Sequence, residues 1–288
     1  MLTILGATHS GRRDHNEDCF VVDAELGFAL VADGMGGYAC GEVASALVRD
    51  CVYQGVKIGG SLTQCIDDAH RRVLEQASRE HEKNGMGSTV LAASFDDNDY
   101  TIAWVGDSRA YLWSPLAGEL RQISRDHSYV ESLVSAGAIT QEQALVHPER
   151  NIITQAVGAG DELAIDCIEG RLGSDQQLIL CSDGLVDELL DSEIAVHLAA
   201  AQSPSEALET LVNSAVNAGG RDNITVVIVT GGLGPAVNPA AVRVTYLHGD
   251  TPAVGSQSAS LEAVNGETAA TGEPRGWWQW LRGLFGER

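Results

Sequence analysis

Apolar residues recur along the chain in two periods, and the change from one to the other marks out the elements. Short runs rich in β-branched and aliphatic residues stand at Leu2–Ala7, Phe28–Ala32, Ser88–Phe95, Tyr100–Val105, Leu178–Ser182 and Ile224–Thr230. Runs of this length, bounded by Gly, Asp or Asn, predict strands. In Gly41–Tyr53 the spacing lengthens: Val43, Ala44, Leu47, Val48 and Cys51 repeat at i, i+1, i+4, i+5 and i+8. Ile66, Ala69, Val73 and Ala77 share one face of Leu62–Lys83 in the same way, so both segments predict helices. Thr140 followed by Gln143 has the spacing of a capping box and predicts a short helix. A further pair is expected at Ser192–Ala201 and Ser205–Ala218, with Ser203 ahead of Pro204 as a start signal. Asp96–Asp99 predicts a tight turn between two strands.

Strands arrive in groups, and so do helices. One crossover helix per strand would imply a doubly wound parallel sheet; this order predicts a largely antiparallel α+β architecture. The folded pattern runs over 1–232. Residues 233–274 are rich in Gly, Ala, Pro, Ser and Thr without periodicity, which predicts a flexible linker. The last stretch, 275–288, is a short Trp-rich amphipathic tail: in a helix Trp277, Leu281, Leu284 and Phe285 would share a face. It is expected to dock onto a protein partner rather than a membrane surface, because few basic residues accompany the aromatic ones. Folding back onto its own domain is the third option.

A net charge of -22 argues against nucleic-acid binding, since the chain repels phosphate backbones at long range. The six cysteines form no CxxC pair and have no histidines at zinc spacing, so they read as buried thiols of a reducing compartment. Nothing approaches the roughly 18 apolar residues of a membrane span. With no basic flank and apolar run at the start, a cytoplasmic location is expected.

Five acidic motifs fall at or beside predicted strand ends. They are Arg13-Asp14-His15-Asn16-Glu17-Asp18, Ala32-Asp33-Gly34-Met35-Gly36-Gly37, Val105-Gly106-Asp107-Ser108-Arg109, Cys181-Ser182-Asp183-Gly184 and Gly220-Arg221-Asp222-Asn223. An aspartate at the mouth of an apolar strand is costly unless something satisfies its charge. Any one of them could be a turn or a helix cap. Hard cations such as Mg²⁺ and Mn²⁺ favour carboxylate and carbonyl oxygens, and a glycine after the aspartate lets the backbone come close. The residues alone leave caps and a metal site equally open.

Taken together, in this order and spacing, the motifs resemble those of the metal-dependent type 2C serine/threonine protein phosphatases, in their bacterial branch, over about Leu2–Thr230. The resemblance implies a sandwich of two mainly antiparallel sheets flanked by helices, with a metal cleft at one end. It implies two core Mn²⁺ or Mg²⁺ ions and a third, weaker one. Asp33 would bridge the core ions and Gly34 would offer its carbonyl to one of them. Asp183 and Asp222 would hold the other. Glu17 and Asp18 would bind metal-bound waters, Asp107 the third ion, and Arg13 the substrate phosphate. The implied reaction is attack of a water held between the cations on phosphorus, without a phosphoenzyme. The implied partners are phosphorylated proteins and a cognate kinase pathway. A substrate-choosing flap would map to about His127–Gln155. Tyr38 departs from the pattern: relatives usually carry histidine there, and a phenol near pKa 10 is a weaker acid than an imidazole near 6.5. Asp126 and His127 stand as further accessory candidates.

Two other functions fit the same fold. A phosphoprotein-binding module without activity would be expected to have lost ligand acids, yet Asp33, Asp183 and Asp222 are all present. A metal-dependent phosphatase of small phosphate esters would keep them all. Metal-dependent turnover of a phosphothreonine peptide against that of metabolite esters separates the three.

Overall fold

A computed structural model of the chain describes residues 2–36, 40–79, 85–231 and 243–246. The predicted strands form, and they lie in two sheets. One has the order β1 (Thr3–His9), β11 (Ile224–Thr230), β10 (Gln177–Cys181), β7 (Arg109–Ser114), β8 (Glu119–Gln122) and β12 (Arg243–Tyr246). The other runs β2 (Asp18–Asp23), β3 (Phe28–Met35), β5 (Val90–Asp96), β6 (Asp99–Val105) and β9 (Asp166–Arg171), with the short β4 (Gly87–Ser88) paired to the end of β3. Among the described residues every pairing is antiparallel except β12 with β8.

Alternation along each strand builds the layers. Phe28, Leu30 and Ala32 of β3 face one apolar cluster, while Ala29 and Val31 face another. In the opposite sheet Val227 and Val229 of β11 meet Ala29 and Val31 between the sheets, whereas Ile224, Val226 and Ile228 point outward. Strands buried on both faces read as near-continuous apolar runs, and all of β11 is buried, with Thr225 and Thr230 its polar residues. Helices α1 (Cys40–Lys57) and α2 (Leu62–Arg79) cover the outer face of the β3 sheet. Helices α5 (Asp183–Val186), α6 (Asp191–Ala200) and α7 (Pro204–Ala218) cover the β11 sheet. The result is helix, sheet, sheet, helix.

Local signals behave as the residue chemistry demands. Thr140 and Gln143 close their capping box on α4 (Gln141–Leu145), and Ser203 caps α7 with Pro204 in the first turn. The Asp96–Asp99 turn joins β5 to β6, with Asp97 at φ 54°, a conformation aspartate tolerates. Residues 128–153 form an excursion carrying α3 (Tyr129–Ser135) and α4. Its two ends meet again through the Ser128–Ile153 bridge and the bond from Thr154 N to His127 O, at 2.6 Å.

Six strands escape the sequence reading, the shortest of them β4, which the run Ser88–Phe95 merged with β5. β2 and β7 follow directly on acidic motifs that masked their apolar positions, and β8 is four residues long. β9 is an exposed edge strand whose polar residues carry no core pattern. β12 lies inside the stretch expected to be linker, so 233–274 is not uniformly unstructured. Arg-Val-Thr-Tyr is a β-prone tetrapeptide that pairs with the free edge of β8. Tyr38 and the tail at 275–288 lie outside the described residues. No helix among the described residues is long and apolar enough to cross a membrane.

Candidate metal centre

Strand pairing gathers the acidic motifs at one end of the sandwich. Asp18 opens β2 directly opposite Asp33 near the end of β3. Asp183 follows β10, Asp222 precedes β11, and Asp107 sits in the turn between β6 and β7. Carboxylates from both sheets therefore converge.

Backbone and hydroxyl groups fix them there. Asp33 N donates to Thr89 Oγ1 at 2.9 Å, and Thr89 Oγ1 is 2.9 Å from Ser108 Oγ, next to Asp107. Asp18 Oδ2 accepts from Thr225 Oγ1 at 2.6 Å and from Ser182 Oγ at 2.8 Å. Asn223 ties the first motif to the last. Its Oδ1 accepts from Glu17 N at 2.7 Å while its Nδ2 donates to Ser10 O and His15 O. Two glycines are required by closeness: a Cβ on Gly34 would strike the carbonyl of Gly41, and one on Gly184 would strike that of Asn223.

The cluster resists its own charge. Burial pushes the Asp33 carboxyl well above its ordinary range, and the neighbouring charges of Asp18, Asp183 and Asp107 push the same way. Burial does likewise to Asp183, with Asp107, Asp187 and Asp222 adding to it. Asp107 rises to about 7 through burial and Asp126, and Asp18 to about 6 through burial, against the hydrogen bonds from Thr225 and Ser182. Burial raises Glu17 as well. Such an assembly of acids is stable as anions only beside positive charge.

Arg13 Nη2 donates to Asp222 Oδ2 at 2.7 Å across an exposed pair. Among the described residues no group of three or more His, Cys, Asp or Glu side chains stands ready to hold one ion. The donor set nevertheless fits hard cations, because it consists of carboxylate oxygens, and the buried Oδ1 atoms of Asp18 and Asp183 have no hydrogen-bond partner.

Of the accessory candidates, Asp126 is held by both Arg109 Nε and Nη2, the latter at 2.7 Å, and by Gln122. His127 has both ring nitrogens engaged. Nε2 lies 3.3 Å from Asp166 Oδ2, and Nδ1 accepts from Gly106 N at 3.3 Å. Its contacts place it at the stem of the excursion. Asn223, Ser182 and Thr225 are the groups missed. Two stood inside quoted motifs beside an aspartate, which was a usable signal; Thr225 looks like any strand threonine.

The sequence and the fold agree with known proteins. Residues 5–218 match the family model described as Protein phosphatase 2C. The Serine/threonine phosphatase stp of Listeria monocytogenes is 34% identical over 236 residues, spanning 77% of this chain and 93% of that protein. The crystal structure of the serine/threonine phosphatase Stp1 from Staphylococcus aureus is similar with a TM-score of 0.74 and 33% identity, over 80% of this chain and 95% of that one. The catalytic domain of the serine/threonine protein phosphatase PstP in complex with two manganese ions is 35% identical with a TM-score of 0.67, over 80% of this chain and 99% of that one. With the sequence and the sandwich in agreement, this chain belongs to the protein phosphatase 2C family.

Proposed function

We propose that this chain hydrolyses phosphoserine and phosphothreonine in proteins, using Mn²⁺ held by the carboxylate cluster. The observation that carries the reading is the convergence of five aspartates from two sheets, with buried oxygens that lack partners. Asp33, the Gly34 carbonyl, Asp183 and Asp222 hold two core ions. Glu17 and Asp18 orient water, and Asp107 serves a third, weaker ion; Mg²⁺ suits the same oxygens. Bound there, the cations supply Lewis acidity and a water acidified enough to attack phosphorus near neutral pH.

The chain's own part is positioning. An exposed ion pair is worth about 0–1 kcal/mol, so Arg13 gives up Asp222 at little cost and turns its planar fork to the substrate phosphate. Water attacks phosphorus, the bond to the serine or threonine oxygen breaks, and that oxygen takes a proton. No side chain becomes phosphorylated: the buried Cys181 thiol, raised by burial, is a spectator.

Asp183→Asn and Asp222→Asn should each abolish Mn²⁺-dependent hydrolysis of a phosphothreonine peptide while leaving the circular-dichroism spectrum intact. Near-normal turnover by either folded variant would sink the assignment. If metabolite esters are hydrolysed far faster than the peptide, the small-ester reading replaces the protein one.

A Ser/Thr kinase opposing the enzyme in the cytoplasm, and a tail that docks onto a protein partner, complete the proposal. Because β12 ends at Tyr246, the natural truncation removes 249–288. It should leave hydrolysis of a short phosphopeptide unchanged and weaken capture of the partner. A large loss of peptide turnover would favour docking within the chain.

A further inference from the structure

His70 is a buried group that the reaction above does not use. It lies on the apolar face of α2 with Ala69 and Val73, and at 3% exposure it is the one buried histidine among the described residues. Its Nδ1 accepts from Gly158 N at 3.0 Å, while its Nε2 has no hydrogen-bond partner. A nitrogen that accepts carries no proton, so the ring is the neutral tautomer with its hydrogen on Nε2. Burial lowers its pKa and Arg71 adds to that, against the raising influence of Asp67 and Asp161. The orphan Nε2 is a cost that an apolar residue would avoid, and it points to a role for the nitrogen that is bonded.

The residue that nitrogen holds leads to the metal centre. A Cβ on Gly158 would strike Val73, so the backbone there runs hard against α2. Val157, next in the chain, exchanges both backbone bonds with Ser88: Ser88 N donates to Val157 O at 2.9 Å, and Val157 N to Ser88 O at 2.8 Å. Ser88 in β4 pairs with Gly34, and its Oγ is 3.0 Å from Asp33 O. One peptide bond and a few hydrogen bonds separate His70 from Asp33 and Gly34.

We propose that His70 is a positioning residue for the metal centre: its neutral imidazole anchors Gly158 to α2, and through Val157 and Ser88 that anchor seats Asp33 and the Gly34 carbonyl for the core ions. The inference rests on the phosphatase reading above and adds to it a residue that touches neither ion nor substrate. Without the anchor Gly158 N is a buried donor lacking an acceptor, and the segment has to shift to satisfy it. Any shift is passed through the Val157–Ser88 bridge to the strand end that carries Asp33 and Gly34.

The test uses the full-length protein, with Mn²⁺ binding read by calorimetry. His70→Leu removes the acceptor and keeps the site filled, whereas His70→Asn puts an amide oxygen close to the place of Nδ1. His70→Leu should weaken Mn²⁺ binding about tenfold, the lower end of what outer-shell partners contribute, and His70→Asn should recover most of that loss. The proposal is overturned if folded His70→Leu binds Mn²⁺ as the wild type does. It is equally overturned if His70→Asn is as weak as His70→Leu, because the residue would then matter for packing alone. By reciprocity, bound Mn²⁺ must strengthen the bond between His70 and Gly158. Hydrogen exchange at the Gly158 amide of the wild type should therefore slow about tenfold more than at the buried amides of α7, and this decides the matter if His70→Leu does not fold. Equal slowing at both places overturns the proposal. A wild type that binds no Mn²⁺ would instead remove the phosphatase reading.

Discussion

Asp107 shows how a residue's surroundings turn into a measurable slope. In the metal-free protein burial lifts its pKa from 3.8 to about 7. Between those values the native state keeps a proton that the unfolded chain releases, so stability falls as pH rises through the window. Asp107→Asn cannot titrate. In urea unfolding with a chelator present, the variant should show a shallower decline from about pH 4 to pH 8 and should exceed the wild type at the upper end. A steeper decline, or a variant weaker at every pH, would show that Asp107 gains more from local hydrogen bonds than it loses to burial. At this scale the aspartates were legible because an acid next to an apolar strand advertises its own cost. The hydroxyls of Ser182 and Thr225 were not, because what they do depends on Asp18, which approaches only when the two sheets close.

At the scale of elements, two-sided burial decides what holds. Ile228 lies in the centre of β11, fully buried against the helix layer, while its neighbours Val227 and Val229 fill the space between the sheets. Ile228→Ala should cost about 2–5 kcal/mol in denaturant unfolding, the range for a large-to-small change in a close-packed core. A loss under about 1 kcal/mol would mean that this layer can collapse onto the gap. The same burial explains which elements could be read beforehand. β3, β5, β10 and β11 announce themselves as continuous apolar runs, and α7 through Ser203 and Pro204. β9 is an edge strand whose residues alternate toward water, and β12 pairs with the edge of β8. Neither leaves a hydrophobic record. α3 carries one buried residue, Val130, too little for a periodic signal.

For the whole molecule, the carboxylate cluster spans both sheets, Asp18 and Asp33 from one and Asp183 and Asp222 from the other. Ions bound between them, as proposed above, would cross-link the sandwich and relieve like-charge repulsion. Mn²⁺ at about 100 times its dissociation constant should add about 2.7 kcal/mol, or about 5–10 °C in Tm for a domain of this size, reversed by chelation. An unchanged Tm at saturating Mn²⁺ would count against cations bridging the two sheets. The stem at Ser128 and Ile153 has a consequence of another kind. An excursion whose two ends leave and rejoin the body side by side strains its stem little when its length changes, since each doubling of a loop adds only about 0.6 kcal/mol of closure entropy. Residues 128–153 are therefore a cassette. Insertions and deletions at that junction should therefore cost the fold little.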